Sequence, residues 1–371
     1  MPATCDIVSP IWNQLERTKH CVESLIRHTD IPFRLILIDN ASDEPARSYL
    51  ESLTKDPRIQ VKLIRNEENL GNIKAANQGI YASDADYICL LDNDTIVTEG
   101  WLSEMISIAQ QEPDIGIVNP ISNSSGWQPP KGQPLSGPPA KNEPIDDYAK
   151  KLRRRWGGCY SEMATAVGFC FLITRKLIET IGVWDETFGM GYYEDRDYSQ
   201  RAIQAGFKIA YAKGAYVYHE EHSSFKKRPE WYELQERNRT IYEARYGRPK
   251  RYLYLISRPD ESMQQKILLD AYAKARRNHF IWIFLTEPCL PMDYVDHSNL
   301  DFFVLNSLLW KFSLFWKILK RKKKFSEIFA DRDSDVHWLK AWSWLHKANV
   351  QKFPPSDAHI ESNKPEMAKT L

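Results

Sequence analysis

The sequence predicts an α/β protein: a mostly parallel sheet with helices on both faces, followed by a smaller C-terminal region that is either α/β or helical. Three observations carry that reading. Short apolar runs alternate with amphipathic stretches through the first half of the chain, the βαβα rhythm of a parallel sheet covered on both faces. A stretch rich in Pro, Gly, Ser and Lys interrupts the rhythm between 120 and 158, and Gly247-Arg248-Pro249 breaks it again. Beyond that break strand-like and helical patterns resume, which sets a boundary between residues 1–248 and 249–371.

Taken in order, the first strand is expected at Cys5–Ser9, running into a proline-led turn at Pro10-Ile11-Trp12-Asn13. Glu16–Arg27 has helical spacing. Phe33–Asp39, Val61–Arg65, Tyr87–Leu91 and Ile115–Asn119 read as further strands, because each is a short apolar run rich in branched side chains. Ile73–Ala82 is an amphipathic helix between two of them. Pro120–Gly158 is expected to be one long loop, of a length that is usually functional. Thr165–Thr174 predicts a strand containing Gly168, and Ala215–Tyr218 another. Asp195–Ala205 and Trp231–Tyr246 predict helices. After the break, strands at Arg251–Ser257 and Phe280–Leu285 flank a helix at Ser262–Arg277, and Asn306–Lys324 reads as an apolar helix with a narrow polar stripe.

The 371 residues are 43% hydrophobic and 27% charged, which describes a folded chain rather than a disordered one. A net charge of +1 gives no pull toward nucleic acid, and no nucleic-acid partner is expected. Cationic residues cluster at 150–155 and form an unbroken run from Lys320 to Lys324. The cysteines at 5, 21, 89, 159, 170 and 289 include no Cys-x-x-Cys pair, so neither a disulfide framework nor a zinc site is expected. No signal peptide and no run of transmembrane length is visible. The expectation is a cytoplasmic protein, with peripheral contact at the inner face of the cytoplasmic membrane left open by the basic run.

Chemistry is written at the strand ends. Tyr87–Leu91 stops at Asp92-Asn93-Asp94, which puts two carboxylates at the C-terminal edge of a strand, the edge at which open α/β sheets bind ligands. Two hard oxygen ligands suit Mg²⁺ or Mn²⁺, and such an ion suits a diphosphate. Asp39, at the end of the second strand, either accepts hydrogen bonds from a base or ribose or caps the next helix. The third strand leads into Asn66-Glu-Glu-Asn69-Leu-Gly71-Asn72 and a helix carrying Lys74 and Asn77. Gly71 allows close backbone approach, and the helix start is a natural phosphate neighbour. Gly168 either lets the backbone approach a donor group or serves close packing.

These motifs together resemble glycosyltransferase family 2, a GT-A, Rossmann-like fold, and the flavour is that of bacterial enzymes building O-antigen, capsule or related surface polysaccharides. The resemblance rests on Asn66-x-x-Asn69-x-Gly71, Asn77-x-Gly79-Ile80 and Leu91-Asp92-Asn93-Asp94. It continues through Gly182-Val-Trp184-Asp185-Glu186, Tyr193-Glu194-Asp195-Arg196-Asp197, Arg201, Gly206-Phe207 and His219 with Ser224-Phe225. It spans roughly residues 5 to 246 and implies a nucleotide-sugar donor (UDP-, dTDP- or GDP-linked), a saccharide or lipid-linked saccharide acceptor, and hexosyl or deoxyhexosyl transfer with inversion. It also implies roles. Asp92, Asp94 and His219 hold the metal, and an imidazole beside two carboxylates favours Mn²⁺ over Mg²⁺. Asp195 is the general base. Pro10, Asn13, Asp39, Asn69, Gly71, Lys74, Asn77, Asp92, Asn93 and Gly168 face the donor, while Trp184, Asp185 and Glu194 shape the acceptor side.

Residues 249–371 fall outside that likeness. Phe325-Ser-Glu-Ile-Phe-Ala330-Asp331-Arg-Asp333 resembles a segment of GT-B glycosyltransferases, which implies the start of a second Rossmann-like domain. The alternative is a docking region, since Leu308–Trp316 followed by the basic run has the composition of an interfacial helix. Two rival functions fit less of the sequence. A sugar nucleotidyltransferase would carry a Gly-rich loop where Ser9-Pro10-Ile11-Trp12-Asn13 stands. A glycan-binding scaffold on a decayed transferase fold would not be expected to keep Asp92, Asp94, Asp195 and His219.

Overall fold

The structure, a computed structural model, describes residues 3–123, 139, 143–220, 229–257, 261–286, 296–305 and 309–353. They group into two compact units. The first comprises Met1–Pro249 with Ala275–Asn278 and Tyr294–Asn299, and the second comprises Lys250–Lys274, His279–Asp293 and Leu300–Leu371. Cys289 and the Ser224-Phe225 motif lie outside the described residues.

The first unit runs β1 (Cys5–Ile11), α1 (Leu15–His28), β2 (Arg34–Asn40), α2 (Ala46–Leu53), β3 (Gln60–Asn66), α3 (Asn72–Tyr81), β4 (Tyr87–Leu91), β5 (Thr95–Val97), α4 (Trp101–Gln111), β6 (Ile115–Ile121), α5 (Ile145–Trp156), β7 (Tyr160–Glu162), β8 (Cys170–Thr174), α6 (Arg175–Ile181), α7 (Glu194–Gln204), β9 (Lys208–His219) and α8 (Pro229–Tyr246). The sheet order is β3-β2-β1-β4-β8-β6-β9-β5, with β7 added against β9. The four strands from β3 to β4 are parallel, β8 is antiparallel to both its neighbours, and β6 is parallel to β9. The expected α/β class with a mostly parallel sheet is the observed one.

The strands bury both faces, and the period-2 alternation shows it. Ile7, Leu35, Leu37, Cys89 and Leu91 enter one core with α1, α2 and α4. Val8, Ile36, Ile38, Ile88 and Leu90 enter the other with α3, α6 and α7. Gly79 lets α3 lie directly on β1, since a side-chain carbon there would come within 2.1 Å of Val8 Cγ1.

Several boundaries differ from expectation. β1 continues through Pro10 and Ile11, so the turn is Trp12–Gln14, with Asn13 and Gln14 left-handed at φ 59° and 56°. Pro10 fits inside the strand because its missing N–H is not required at every ladder position. Gly168 lies in the turn before β8 rather than in a strand. The expected loop after 120 contains a helix, α5, whose buried side comprises only Tyr148, Ala149 and Leu152, too narrow a stripe to stand out among its charges.

The second unit runs β10 (Arg251–Ile256), α9 (Glu261–Arg276), β11 (Phe280–Leu285), β12 (Leu300–Val304), α10 (Trp310–Leu319), β13 (Glu327–Ala330), α11 (Asp333–Lys340), α12 (Ser343–His346) and β14 (Asn349–Lys352). Its sheet is all-parallel, in the order β12-β11-β10-β13-β14. Numbered from β10, that is 3-2-1-4-5, the strand order of a Rossmann-like unit. Leu253, Leu255, Trp282, Phe284, Ile328 and Val350 pack with α10 and α11 on one face. The start of the predicted helix at Asn306 lies outside the described residues.

Candidate active site

Local sequence brings Asp92 and Asp94 to the end of β4, and a non-local strand pairing completes the cluster. After Asp94 the chain enters β5, which pairs antiparallel with the end of β9 so that Thr95 stands opposite His219. Glu220 N–H donates to Asp94 O at 2.9 Å and extends the ladder past the histidine. His219 Nε2 therefore lies 3.2 Å from Asp94 Oδ1. Its ring stacks on Phe169 at 5.1 Å, and its backbone exchanges two hydrogen bonds with the Asn123 side chain. Ligand atoms of Asp92, Asp94 and His219 all lie within 4.8 Å of one another, and all three residues are half-buried.

The electrostatics mark the cluster as short of positive charge. Burial, then the Asp94 charge, pushes the Asp92 carboxyl up to about 7, with Asp195 adding and His219 opposing. Burial also works against ionisation of Asp94, but the hydrogen bond and charge of His219, with Arg17, hold it below its usual value. Burial and the neighbouring Asp195 push Glu194 to about 8, and Glu194 Oε2 is buried with no hydrogen-bond partner among the described residues. Burial raises Asp195 as well, partly offset by Arg196. Asp92 and Glu194, each raised by burial and by neighbouring carboxylates, are the environment a divalent cation relieves. Two carboxylates and an imidazole are a donor set that fits Mn²⁺.

Asp195 sits in the first turn of α7, where its Oδ1 accepts from Arg196 N–H at 2.7 Å and its carbonyl accepts from Ser199 Oγ at 2.6 Å. Gly168 faces it: a side-chain carbon on Gly168 would lie 4.0 Å from Asp195 Cβ and 3.9 Å from Trp184. The approach to Asp195 is strained. Tyr192 and Tyr193 are both left-handed, at φ 71° and 75°, a conformation that is costly for bulky side chains. Asn238, fully buried on α8, holds that turn. Its Nδ2 donates to the carbonyls of Phe188 and Gly191 at 2.8 Å and Tyr192 at 3.0 Å. Sequence reading missed Asn238. It lies in a polar helix 46 to 50 residues from the turn it supports, with no local signal of that role.

The remaining expected residues separate into those at the edge and those behind it. Asn13 zips the β1 turn to the β2 turn: its N–H donates to Ser42 Oγ and its Oδ1 accepts from Asp43 N–H. Asp39 is 1% exposed, accepting from Ser42 N–H and paired with Arg65, a partner the sequence did not disclose. Asn69 Oδ1 accepts from Asn40 Nδ2 and Gly71 N–H, so it shapes the loop it stands in. Gly71, at φ 84°, is approached by Met190, whose sulfur would lie 2.8 Å from an added side-chain carbon. Lys74 is exposed on α3. Asn93 Nδ2 donates to Thr18 Oγ1 at 2.9 Å. Asn77 is buried, and its amide bonds the Trp184 backbone at both N–H and C=O, which ties α3 to the segment before α7. Trp184 is itself 2% exposed and packs edge-on against Phe171, so it supports the site from behind. Asp185 caps the turn at Thr187 and pairs with Arg245 at 2.6 Å. Arg245 also reaches the fully buried Asp197.

Residues 6–182 match glycosyl transferase family 2. The glycosyltransferase GlyG of Streptococcus pneumoniae serotype 4 is 26% identical over 121 residues, 32% of this chain and 40% of the relative. Human polypeptide N-acetylgalactosaminyltransferase 13 is 25% identical over 271 residues, 66% of this chain and 46% of the relative. The chain thus spans less than half the length of these curated relatives. Among solved structures, the mannosyltransferase PcManGT from Pyrobaculum calidifontis, in complex with GDP-Man and Mn²⁺, aligns with a TM-score of 0.48 at 14% identity, covering 66% of this chain and 64% of that one.

Proposed function

We propose that the protein is a metal-dependent inverting glycosyltransferase. It would act in the cytoplasm, with residues 1–248 as the catalytic domain, and move a hexosyl or deoxyhexosyl group from a nucleotide-diphosphate donor to a hydroxyl of a growing polysaccharide or glycolipid of the O-antigen or capsule kind. One observation carries the reading: Asp92, Asp94 and His219 present ligand atoms within 4.8 Å of one another, beside Asp195 and on the ligand-binding edge of a family 2 sheet.

Asp92, Asp94 and His219 would hold the Mn²⁺ or Mg²⁺, which when bound offsets the charge that builds on the departing diphosphate. The chain's own groups do the rest. Asp195 accepts the proton of the attacking hydroxyl as the new oxygen–carbon bond forms at the anomeric carbon. The bond from that carbon to the diphosphate oxygen breaks, and the configuration inverts because attack comes from the opposite face. Burial raises Asp195, and the Arg196 charge with the backbone N–H groups of Arg196, Gly168 and Asp195 opposes it, favouring the ionised form that a base needs. The turns joined by Asn13, Ser42, Asp43 and the Asp39–Arg65 pair form the wall on which the nucleotide base would rest.

A donor-hydrolysis screen with UDP-, dTDP- and GDP-sugars, each in Mn²⁺, Mg²⁺ and EDTA, tests the reading. Turnover of at least one donor that disappears in EDTA is expected. No turnover and no nucleotide binding with any donor would replace it with a glycan-binding scaffold.

A further inference from the structure

The second unit carries a surface the proposed chemistry does not use. On α10 and the residue before it, Leu309, Phe312 and Trp316 fall at helical spacing i, i+3, i+7 and are 70%, 62% and 43% exposed. Phe312 and Trp316 touch edge-on at 6.1 Å and form a continuous apolar stripe. The opposite side of α10, Leu314 and Ile318, is buried against the sheet, so the stripe faces away from the core. Large apolar side chains gathered in one exposed stripe are uncommon on a surface with no binding role.

Along the chain the charge beside the stripe has one sign, with Lys311 paired to Asp335 at 3.4 Å. From Leu309 to Phe325 the sequence contains Lys311, Lys317, Lys320, Arg321, Lys322, Lys323 and Lys324 and no acidic residue. Lys320 lies over the Trp316 ring at 5.6 Å, so cation and stripe meet. Beside it is a cavity of about 110 Å³ lined by Phe284, Phe303, Lys317, Ile318, Arg321 and Phe325. Two of its lining residues are cations and four are apolar. The Arg321 guanidinium stacks 3.7 Å over Trp282, and burial pulls its pKa below the usual value, with the Asp301 charge opposing.

We propose that this face of the second unit docks on an anionic phospholipid surface. Phe312 and Trp316 would enter the headgroup–acyl boundary, Lys320, Lys322 and Lys323 would lie over the phosphates, and one headgroup phosphate would sit between Lys317 and Arg321. Charge complementarity selects the occupant. An apolar stripe fringed by cations of one sign suits an interface that is apolar below and anionic above, whereas a second copy would bring the same positive charge against itself. Among the described residues no helix is long and apolar enough to cross a membrane, so this contact would be peripheral.

The test is flotation of the full chain with phosphatidylcholine vesicles containing 30% or no phosphatidylglycerol, at low and high salt. Two variants join it: Lys320→Gln/Lys322→Gln/Lys323→Gln, and Phe312→Ser/Trp316→Ser. The altered side chains are exposed, and Arg321 and Lys324 are left in place to preserve their contacts. Binding is expected only with the anionic lipid, weakened by salt, and roughly 100-fold weaker in the triple-Lys variant. The aromatic variant should also lose binding while keeping wild-type thermal stability. Equal flotation of all three proteins, flotation on pure phosphatidylcholine, or none by any of them would overturn the proposal. So would sedimentation showing a dimer that the aromatic variant dissolves while wild type ignores the vesicles.

Discussion

The molecule contains one mostly parallel and one all-parallel sheet, both carry aspartates at the C-terminal ends of strands, and the two treat them oppositely. At the first, Asp92 and Glu194 are buried near further carboxyl groups and pushed toward the neutral form, and Glu194 Oε2 is buried without a hydrogen-bond partner among the described residues. At the second, where the strand order reverses between β10 and β13, both oxygens of Asp331 accept the Ser257 N–H at 3.0 Å. Asp335 accepts from Ser257 Oγ at 2.7 Å and pairs with Lys311 at 3.4 Å, and Arg332 donates to Ser257 O. An acid at a sheet edge is therefore not a site in itself. It becomes one when the protein leaves the carboxylates for something else to satisfy, at a cost in stability that a bound cation removes.

Four sets of substitutions probe that contrast, and the first should have the largest effect. Asp195→Asn keeps the side-chain shape but cannot take a proton, so turnover should fall about 10²–10⁴-fold while donor affinity measured by calorimetry stays close to wild type. If Asp195→Asn turned over normally and Glu194→Gln did not, the two residues would exchange roles. Next is Asn238→Ala, which removes the clamp on the left-handed turn before Asp195. Mispositioning the base by about 1 Å costs on the order of 10²-fold in turnover. Mn²⁺ affinity should be retained, because Asn238 holds the turn and not the metal cluster; loss of Mn²⁺ binding would show that the two are coupled.

A third pair compares the edges directly. Asp94→Asn should lower Mn²⁺ affinity at least about tenfold, as even the loss of a contact that only supports a metal ligand does. Asp335→Asn should leave Mn²⁺ affinity untouched. Titration calorimetry on both reads the difference, and a metal response to Asp335 would erase it. The smallest effect is expected from Asp331→Ala, which strips the Ser257 N–H of its acceptor. It should cost about 1–3 kcal/mol of stability, seen as a shifted denaturation midpoint of tryptophan fluorescence with donor turnover unchanged.

The sequence alone determined the strands and hence the edge. Runs such as Tyr87–Leu91 are short, apolar and closed by Asp-x-Asp, and the period of two forces their neighbours alternately into the two cores, so the class of fold and the place of Asp92 and Asp94 follow from local pattern. Arg251–Ser257 and Phe280–Leu285 were legible for the same reason. Their adjacent parallel pairing is what the Rossmann-like reading of this region expects, whereas the docking reading does not call for it; the register itself depends on both strands at once. Tertiary structure decided the rest. His219 reaches Asp94 because β9 runs twelve residues, far beyond the expected Ala215–Tyr218, and pairs with the three-residue β5 that no local pattern announces. Asn77 and Trp184, expected at the ligand, are buried and bonded to one another, a contact their spacing does not announce. Propensity and periodicity act between neighbours in the chain. A site assembled from residues more than a hundred positions apart is fixed only by which surfaces pack and which polar groups the packing leaves to satisfy one another.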